Sequence, residues 1–459
     1  MTSTLEQRDV RGKKVSVIGA ARSGLAAASL LRDQGARVFV SDSQPPEKLK
    51  DQISTLTSMG IEYEAGVHSE RVYDTVLMVI SPGVPPTAPV IRQAVQRGIR
   101  IVSELELASW FCPAKIIAVT GSNGKTTTTT LLGRMFSDAK RKHVVGGNIG
   151  TAFSSQVPDL QGDSVAVLEV SSFQLDHIER FHPKVSVILN ITPDHLDRYG
   201  GSFENYSQSK CRVFENQSAD DYCICCYDDD ETKRKIELKA RSHVHVLPFS
   251  CDRRFSEGAF VENGTMVTVM SGKRTEIIGV GEMSIKGIHN LYNAMGATLA
   301  AQVMGIDAPS IRATLKNFKG VEHRLEFVRE LNGIRFINDS KATNIASVWY
   351  ALQAYPDPVV LLLGGRDKGN DYSALADLVK TRVRAIVAIG ESAEKVVKNF
   401  QSIAKVVTAS SMENAVQTAR ALAGPGEIVL LSPACASFDW FDNYEHRGRE
   451  FKRCVMELK

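Results

Sequence analysis

Cysteine, net charge and long apolar runs are all in short supply in this chain, and each scarcity removes a class of protein. Eight cysteines in 459 residues cannot make the dense disulfide framework of a small secreted domain. Three of them, Cys223, Cys225 and Cys226 of "YCICCY", fall in one apolar run. That run reads as a short strand carrying reduced, buried thiols, and no second ligand pair at zinc-site spacing accompanies it. His243 and His245 of "HVHVLPF" would share a strand face and are expected to be structural rather than ligating. A formal net charge of +3 is too small to direct the chain to nucleic acid or an acidic membrane. Apolar runs such as "VVLLL", Val359 to Leu363, fall far short of the roughly 20 residues of a membrane span. The opening "MTSTLEQRDVRGKK" has no apolar leader core. A cytoplasmic enzyme with no nucleic-acid partner and no membrane span is expected, and without a long heptad pattern it is expected to be a monomer.

What is present is a repeating alternation of short apolar runs with helical stretches, which implies α/β architecture built on parallel sheets. The pattern restarts near Ser103 and Gly320 and predicts three domains, 1–103, 104–320 and 321–459. In the first, "VSVIGA", "RVFVSD" and "TVLMVISPG" are strands. In the second, "IIAVTG", "SVAVLEVSS" and "VSVILNIT" are buried strands. The stretch from His243 to Val280 reads as antiparallel hairpins added to that domain. "HNLYNAMGATLAAQVMG" is a helix, and "VVLLLGG", "RAIVAIG" and "EIVLLSPA" are strands of the third.

Two glycine loops each lack something. "VTGSNGKTTTTTLLGR", Val119 to Arg134, resembles a phosphate-binding loop but places only Ser122 and Asn123 between Gly121 and Gly124, where the usual motif has four residues. A strand before it and a helix after it still supply the converging N–H groups that a phosphate needs. Lys125 would reach the β- and γ-phosphates and Thr126 would offer a hydroxyl to Mg²⁺. Five threonines in a row, Thr126 to Thr130, are poor helix formers, so some of their hydroxyls are expected to serve the phosphate end. Glu169 and His195 stand at the ends of predicted central strands, where open α/β sheets place ligands. The other loop, "GAARSG" from Gly19 to Gly24, has Ala21 where a dinucleotide fingerprint has its middle glycine. A nucleotide other than NAD is the better fit, with Asp42 at the end of the second strand as a ribose-side acid.

"TGSNGKT", "GGNIG", "EVSSFQLD", "NITPDHLDRYG" and "YSQSKCRVFEN" together resemble the central ATPase domain of the Mur ligases, which assemble the peptide of bacterial peptidoglycan. "HNLYNA", "GVEHRLE", "INDSKATN", "LLGGRDKG" and "LSPACASFDWFDNYEHRGREFK" extend the likeness through the last domain. Within the family the combination is similar to the branch that adds D-glutamate to UDP-N-acetylmuramoyl-L-alanine; the "DNPR" run of the diaminopimelate-adding branch does not occur.

The resemblance implies a fold and a set of roles. The fold is a Rossmann-like UDP-binding domain, a P-loop ATPase-type parallel sheet with a small antiparallel elaboration, and a Rossmann-like domain for the amino acid. ATP would be held by Gly121, Ser122, Asn123, Gly124, Lys125, Thr126 and Thr127, with Asn290, Arg324 and Asp339. Two Mg²⁺ ions would be bound by Thr126, Glu169, His195 and Lys210, the last as a carbamate. Lys125, Glu169, His195 and Lys210 would be the catalytic set. The UDP-sugar donor would be held by Arg22, Ser23, Asp42, Ser43, Ser81, Gly83, Asn148 and His195. The D-glutamate acceptor would be held by Lys341, Thr343, Lys368, Ser437 and Tyr444, a lysine and hydroxyl set suited to a dicarboxylate. The reaction implied passes through an acyl phosphate and forms an amide, ADP and phosphate.

Overall fold

The computed structural model describes residues 9–239, 243–367 and 369–459; Lys368 lies outside the described residues. The chain divides into two compact units, Met1–Glu282 with Tyr292–Lys316, and Met283–Leu291 with Asn317–Lys459.

The first unit contains two sheets. β1 (Lys14–Ile18), β2 (Arg37–Asp42), β3 (Glu62–Ala65), β4 (Leu77–Ile80) and β5 (Arg100–Ser103) form a parallel sheet in the order β3-β2-β1-β4-β5. Strand, helix and strand alternate here, and a helical crossover of this kind returns the chain parallel to its predecessor. Helix Arg22–Asp33 follows β1 directly. A Cβ on Gly24 would lie 1.8 Å from the Gly19 carbonyl oxygen, so the last glycine of "GAARSG" is there to let helix and strand approach.

The larger sheet has nine strands in the order β14-β13-β12-β11-β10-β9-β6-β8-β7. They are β6 (Lys115–Thr120), β7 (His143–Gly147), β8 (Val165–Glu169), β9 (Val185–Ile188), β10 (Tyr222–Cys226), β11 (His245–Ser250), β12 (Gly258–Glu262), β13 (Thr265–Met270) and β14 (Lys273–Gly279). The antiparallel reading of His243 to Val280 holds only for β12, β13 and β14. β11 instead runs parallel to β10 on one side and to β12 on the other. The reason lies in helix Asp230–Lys239, which carries the chain back to the start of the sheet before β11 begins. Cys223 and Cys225 point from β10 into the main core beside Ile116 and Phe214, and all eight cysteines are free thiols. His245 opens β11 and pairs with Glu257 at 3.0 Å, a structural role.

The second unit holds β15 (Glu326–Leu331), β16 (Ile334–Asn338), β17 (Val359–Gly364), β18 (Val383–Ile389), β19 (Lys405–Thr408) and β20 (Ile428–Leu431), ordered β15-β16-β20-β17-β18-β19. Among the paired strands of the described residues here, β15–β16 is antiparallel and the others are parallel. β17 shows why "VVLLL" carries no alternation. Val359, Leu361 and Leu363 enter one core with Tyr372 and Phe400. Val360 and Leu362 enter the other with Phe451 and Val455. A strand covered by helices on both faces is apolar throughout, and each fully buried leucine contributes about 2 kcal/mol. Among the described residues no helix is long and apolar enough to cross a membrane.

Candidate active site

The short loop between β6 and helix Lys125–Asp138 ends on Gly124, which caps the helix at φ 86°. A Cβ there would also displace the Asn293 amide, whose Oδ1 would lie at 2.2 Å, and the positive φ strains any other residue. The missing loop residues are compensated from the neighbouring strand's exit. Asn190 accepts from the Asn123 N–H at 2.9 Å and returns its own N–H to the Asn123 carbonyl at 3.1 Å. The Ser122 hydroxyl donates to the Thr192 carbonyl at 2.7 Å. The loop is therefore braced from outside by the "NIT" turn rather than by its own length. The helix's free N–H groups leave a partial positive charge at its start.

Thr126 donates its hydroxyl to Glu169 Oε2 at 2.7 Å, and Asn148 donates to Glu169 Oε1 at 2.9 Å. Glu169 is 2% exposed and ends β8 beside the loop. Of the later threonines, Thr127, Thr128 and Thr129 are buried; the Thr128 and Thr129 hydroxyls have no partner, so packing explains those two.

The Lys125 ammonium donates to the Gly121 carbonyl at 2.8 Å and the Ser122 carbonyl at 3.0 Å. Lys210, from helix Phe203–Cys211, donates to the same Gly121 carbonyl at 2.8 Å. Burial pulls the Lys210 amine well below the usual lysine pKa, the Lys125 charge adds to that shift, and Asp194 and Glu169 oppose it. His195 adopts φ 51° on the loop after β9, with its ring edge-on to Phe173 at 5.0 Å and its Nε2 3.7 Å from Asp194.

In the first sheet, Arg22, Ser23, Asp42, Ser43, Ser81 and Gly83 line one cavity of about 500 Å³, and Asn148 of the larger sheet lines it with them. Asp42 organises its rim, accepting the Ala20 N–H at 2.7 Å and the Gln44 N–H at 2.8 Å. Two residues that the sequence did not single out join this region. His68 lines the cavity. Arg198 donates to the carbonyls of Pro82 at 3.0 Å and Val84 at 2.9 Å, with its guanidinium 3.8 Å from the Phe173 ring centre. Arg198 sat in plain view inside "DHLDRYG", whereas nothing around "GVH" signals His68.

In the second unit, Asp339 at the end of β16 accepts from the Ser432 hydroxyl at 2.9 Å and the Leu325 N–H at 3.2 Å. Burial pushes its carboxyl up to about 6, and Arg324 works against that rise. Asn290 donates to the Lys286 carbonyl at 2.8 Å. The Lys341 ammonium sits 5.2 Å from the Tyr444 ring centre. Ser437 is buried, and Thr343 is half-buried just before helix Ile345–Gln353. Arg447, not anticipated, lies buried beneath these loops. It donates to the Ser340 hydroxyl at 3.0 Å, the Ser340 carbonyl at 2.7 Å and the Cys435 carbonyl at 3.1 Å. Among the described residues the one compact His/carboxylate group of three is Glu322, His323 and Glu326. Lys452 donates to both of its glutamates, at 3.0 and 2.6 Å, so a cation of the chain itself already occupies it.

Family descriptions match three stretches: "Mur ligase MurD-like, N-terminal domain" over residues 13–103, "Mur ligase middle domain" over 119–301 and "Mur ligase, glutamate ligase domain" over 323–435. The chain belongs to the Mur ligase family. It is 46% identical to a UDP-N-acetylmuramoylalanine–D-glutamate ligase of Chloroherpeton thalassium, over 99% of this chain and 100% of the relative. It is 44% identical to the protein of the same name in Salinibacter ruber, over 98% and 99%. Among solved Mur ligase structures, the UDP-N-acetylmuramate–alanine ligase of Thermotoga maritima superposes with a TM-score of 0.61 at 18% identity, covering 97% of this chain and 100% of the other. That likeness speaks for the fold.

Proposed function

We propose that this chain is an ATP-dependent ligase that joins D-glutamate to the alanine carboxyl of UDP-N-acetylmuramoyl-L-alanine, releasing ADP and phosphate, in the assembly of peptidoglycan precursors. The observation that carries this reading is the continuous link from Thr126 through Glu169 to Asn148. Thr126 belongs to the phosphate loop and Asn148 lines the large cavity, so one buried carboxylate stands where a phosphoryl donor and a cavity-bound acid would meet. In this reading residues 1–103 bind the UDP-sugar, 104–320 bind ATP and 321–459 bind the amino acid.

The donor set suits Mg²⁺: a hydroxyl and a carboxylate are the hard oxygen ligands that ion takes, with phosphate and water completing its shell. Thr126 and Glu169 would hold it, joined by His195 and Lys210 at a second ion. A lysine ammonium cannot ligate a metal. The buried Lys210 is biased to the neutral amine, the form that adds CO₂ and loses a proton to become an anionic carbamate. Bound Mg²⁺ would offset charge on the phosphoryl oxygens.

The chain's own groups do the rest. Backbone N–H groups at the start of helix Lys125–Asp138 and the Lys125 ammonium hold the γ-phosphoryl against the donor carboxylate, so that its transfer yields an acyl phosphate and ADP. Asn148 orients the donor carboxyl. In the second unit Arg324 and Asp339, with Asn290, serve the nucleotide. Lys341, Thr343, Lys368, Ser437 and Tyr444 hold the acceptor carboxylates and present its amine, which displaces phosphate to form the amide. Positioning and charge neutralisation supply most of the acceleration.

The test is phosphate release from Mg·ATP with UDP-N-acetylmuramoyl-L-alanine and one of four acceptors: D-glutamate, L-glutamate, L-lysine or meso-diaminopimelate. Turnover with D-glutamate alone is expected. Turnover with another acceptor only would reassign the substrate, and silence with all four would refute the ligase reading.

A further inference from the structure

His68 follows β3 at the edge of the first sheet, and its ring lines the cavity of about 500 Å³. The side chains packed against it fix the tautomer of the ring. Its Nδ1 lies 2.7 Å from the Ser41 hydroxyl oxygen. That hydroxyl lies 2.7 Å from Glu64 Oε1. Glu64 also accepts from the Ser69 N–H at 2.9 Å and the Ser69 hydroxyl at 2.5 Å. Burial opposes its ionisation, but the bonds from Ser69 and Ser41 outweigh burial and hold the carboxyl below its usual pKa. An ionised carboxylate only accepts. Ser41 therefore spends its single proton on Glu64, and the proton shared with His68 belongs to Nδ1. The Nε2 atom is left as a lone pair with no protein partner among the described residues. Burial also lowers the tendency of the ring to take up a second proton, against the pull of Glu64 and Asp42.

The cavity has a direction. Arg198 ties the loop after β4 to the loop that carries His195, so the β4 side faces the phosphate loop. β2 and β3 lie on the other side of β1, and the residues they contribute are Asp42, Ser43, Gln44 and His68. A donor whose carboxyl reaches Asn148 places its nucleoside among these. We propose that His68 reads the nucleoside of the donor, its Nε2 accepting a hydrogen bond from the uracil N3–H or the ribose 2′-hydroxyl. The inference rests on the UDP-sugar reading of this cavity. Asp42 already accepts one backbone N–H on each oxygen, and His68 adds a second acceptor on the same side of the cavity.

The test is calorimetric titration of the full chain with UDP, N3-methyl-UDP and 2′-deoxy-UDP, using wild type, His68→Leu and His68→Gln. His68→Leu keeps the Ser41–Glu64 bond and removes the acceptor; it is expected to weaken UDP binding by about five- to tenfold, the worth of one hydrogen bond. His68→Gln presents a carbonyl near the Nε2 position and is expected to recover most of that loss. The decisive readout is discrimination, which a purely structural role would not move. Methylation at N3, or removal of the 2′-hydroxyl, should weaken binding to wild type by a similar factor and leave His68→Leu unaffected; whichever analogue behaves so names the group read. UDP binding to folded His68→Leu within twofold of wild type, or equal penalties from both analogues in wild type and variant, overturns the proposal. Should His68→Leu fail to fold, His68→Gln decides: tight UDP binding with discrimination kept supports the assignment, and discrimination lost overturns it. Wild type that binds no UDP at all overturns both this inference and the donor reading beneath it.

Discussion

Lys210 and Asp339 show how burial can dominate the chemistry of a residue. The Lys210 amine lies within 2.8 Å of the Gly121 carbonyl, next to the Lys125 charge, and its pKa is drawn down by burial and then by that neighbour. A neutral amine in such a place is a nucleophile for CO₂. Wild-type protein in ¹³C-bicarbonate should show a carbamate carbonyl resonance that Lys210→Ala lacks; an identical spectrum from both proteins would remove Lys210 from the metal set. Glu169→Gln keeps the shape and discards the charge, and it should lower kcat by about 10²- to 10³-fold with little change in melting temperature.

For Asp339 the sign runs opposite to that of a salt-bridged acid. Its folded pKa of about 6 stands above the unfolded value of 3.8, so ionisation costs the folded state. The deficit is full above pH 6, on the order of 3 kcal/mol at 1.36 kcal/mol per unit, and is relieved as pH falls from 6 toward 3.8. Melting curves of wild type and Asp339→Asn should therefore converge or cross in favour of wild type between pH 7 and pH 5. A difference that does not vary with pH would show that Asp339 is not buried as an ionisable acid.

At the scale of elements, helix Arg22–Asp33 depends on Gly24. Because a side-chain carbon at this position would lie 1.8 Å from the Gly19 oxygen, Gly24→Ala must push helix and strand apart, at about 1–3 kcal/mol or more. Lower thermal stability together with lost UDP affinity is expected, and an unchanged melting temperature would contradict the packing. Arg198 makes a second element-scale contact, tying the rim of the cavity to the loop of His195. Arg198→Met removes two charged hydrogen bonds and a cation–π contact, and the donor KM should rise about tenfold or more while the ATP KM stays within twofold. Equal effects on both would point to general destabilisation.

Strands buried on both faces, such as β17, and the helix after "TGSNGK" were legible because burial and glycine placement are written into local sequence. The direction of β11 was not, because parallel pairing is decided by the crossover helix Asp230–Lys239 rather than by the strand's own residues. The roles of Lys210 and Arg447 were illegible on local grounds. A lysine or arginine on a helix reads as solvated, and only the assembled fold shows Lys210 at 2% and Arg447 at 1% exposure. His68 needed tertiary structure for the same reason, since its partners Ser41 and Glu64 come from β2 and β3.

Over the whole molecule, the sequence motifs and the three family descriptions agree on a Mur ligase from residue 13 to residue 435, and the 46% identical relative spans nearly all of the chain. The central claim is that the energy of ATP enters the donor carboxyl at the Thr126–Glu169–Asn148 junction. The most direct measurement uses UDP-N-acetylmuramoyl-L-alanine labelled with ¹⁸O in the alanine carboxylate, with Mg·ATP and D-glutamate, and determines the isotope content of the released phosphate by mass spectrometry. The account predicts one ¹⁸O atom in each phosphate, because the carboxylate oxygen that attacks the γ-phosphorus leaves with it when the amine forms the amide. Unlabelled phosphate alongside amide product would contradict it, since the donor carboxyl would then never have been phosphorylated.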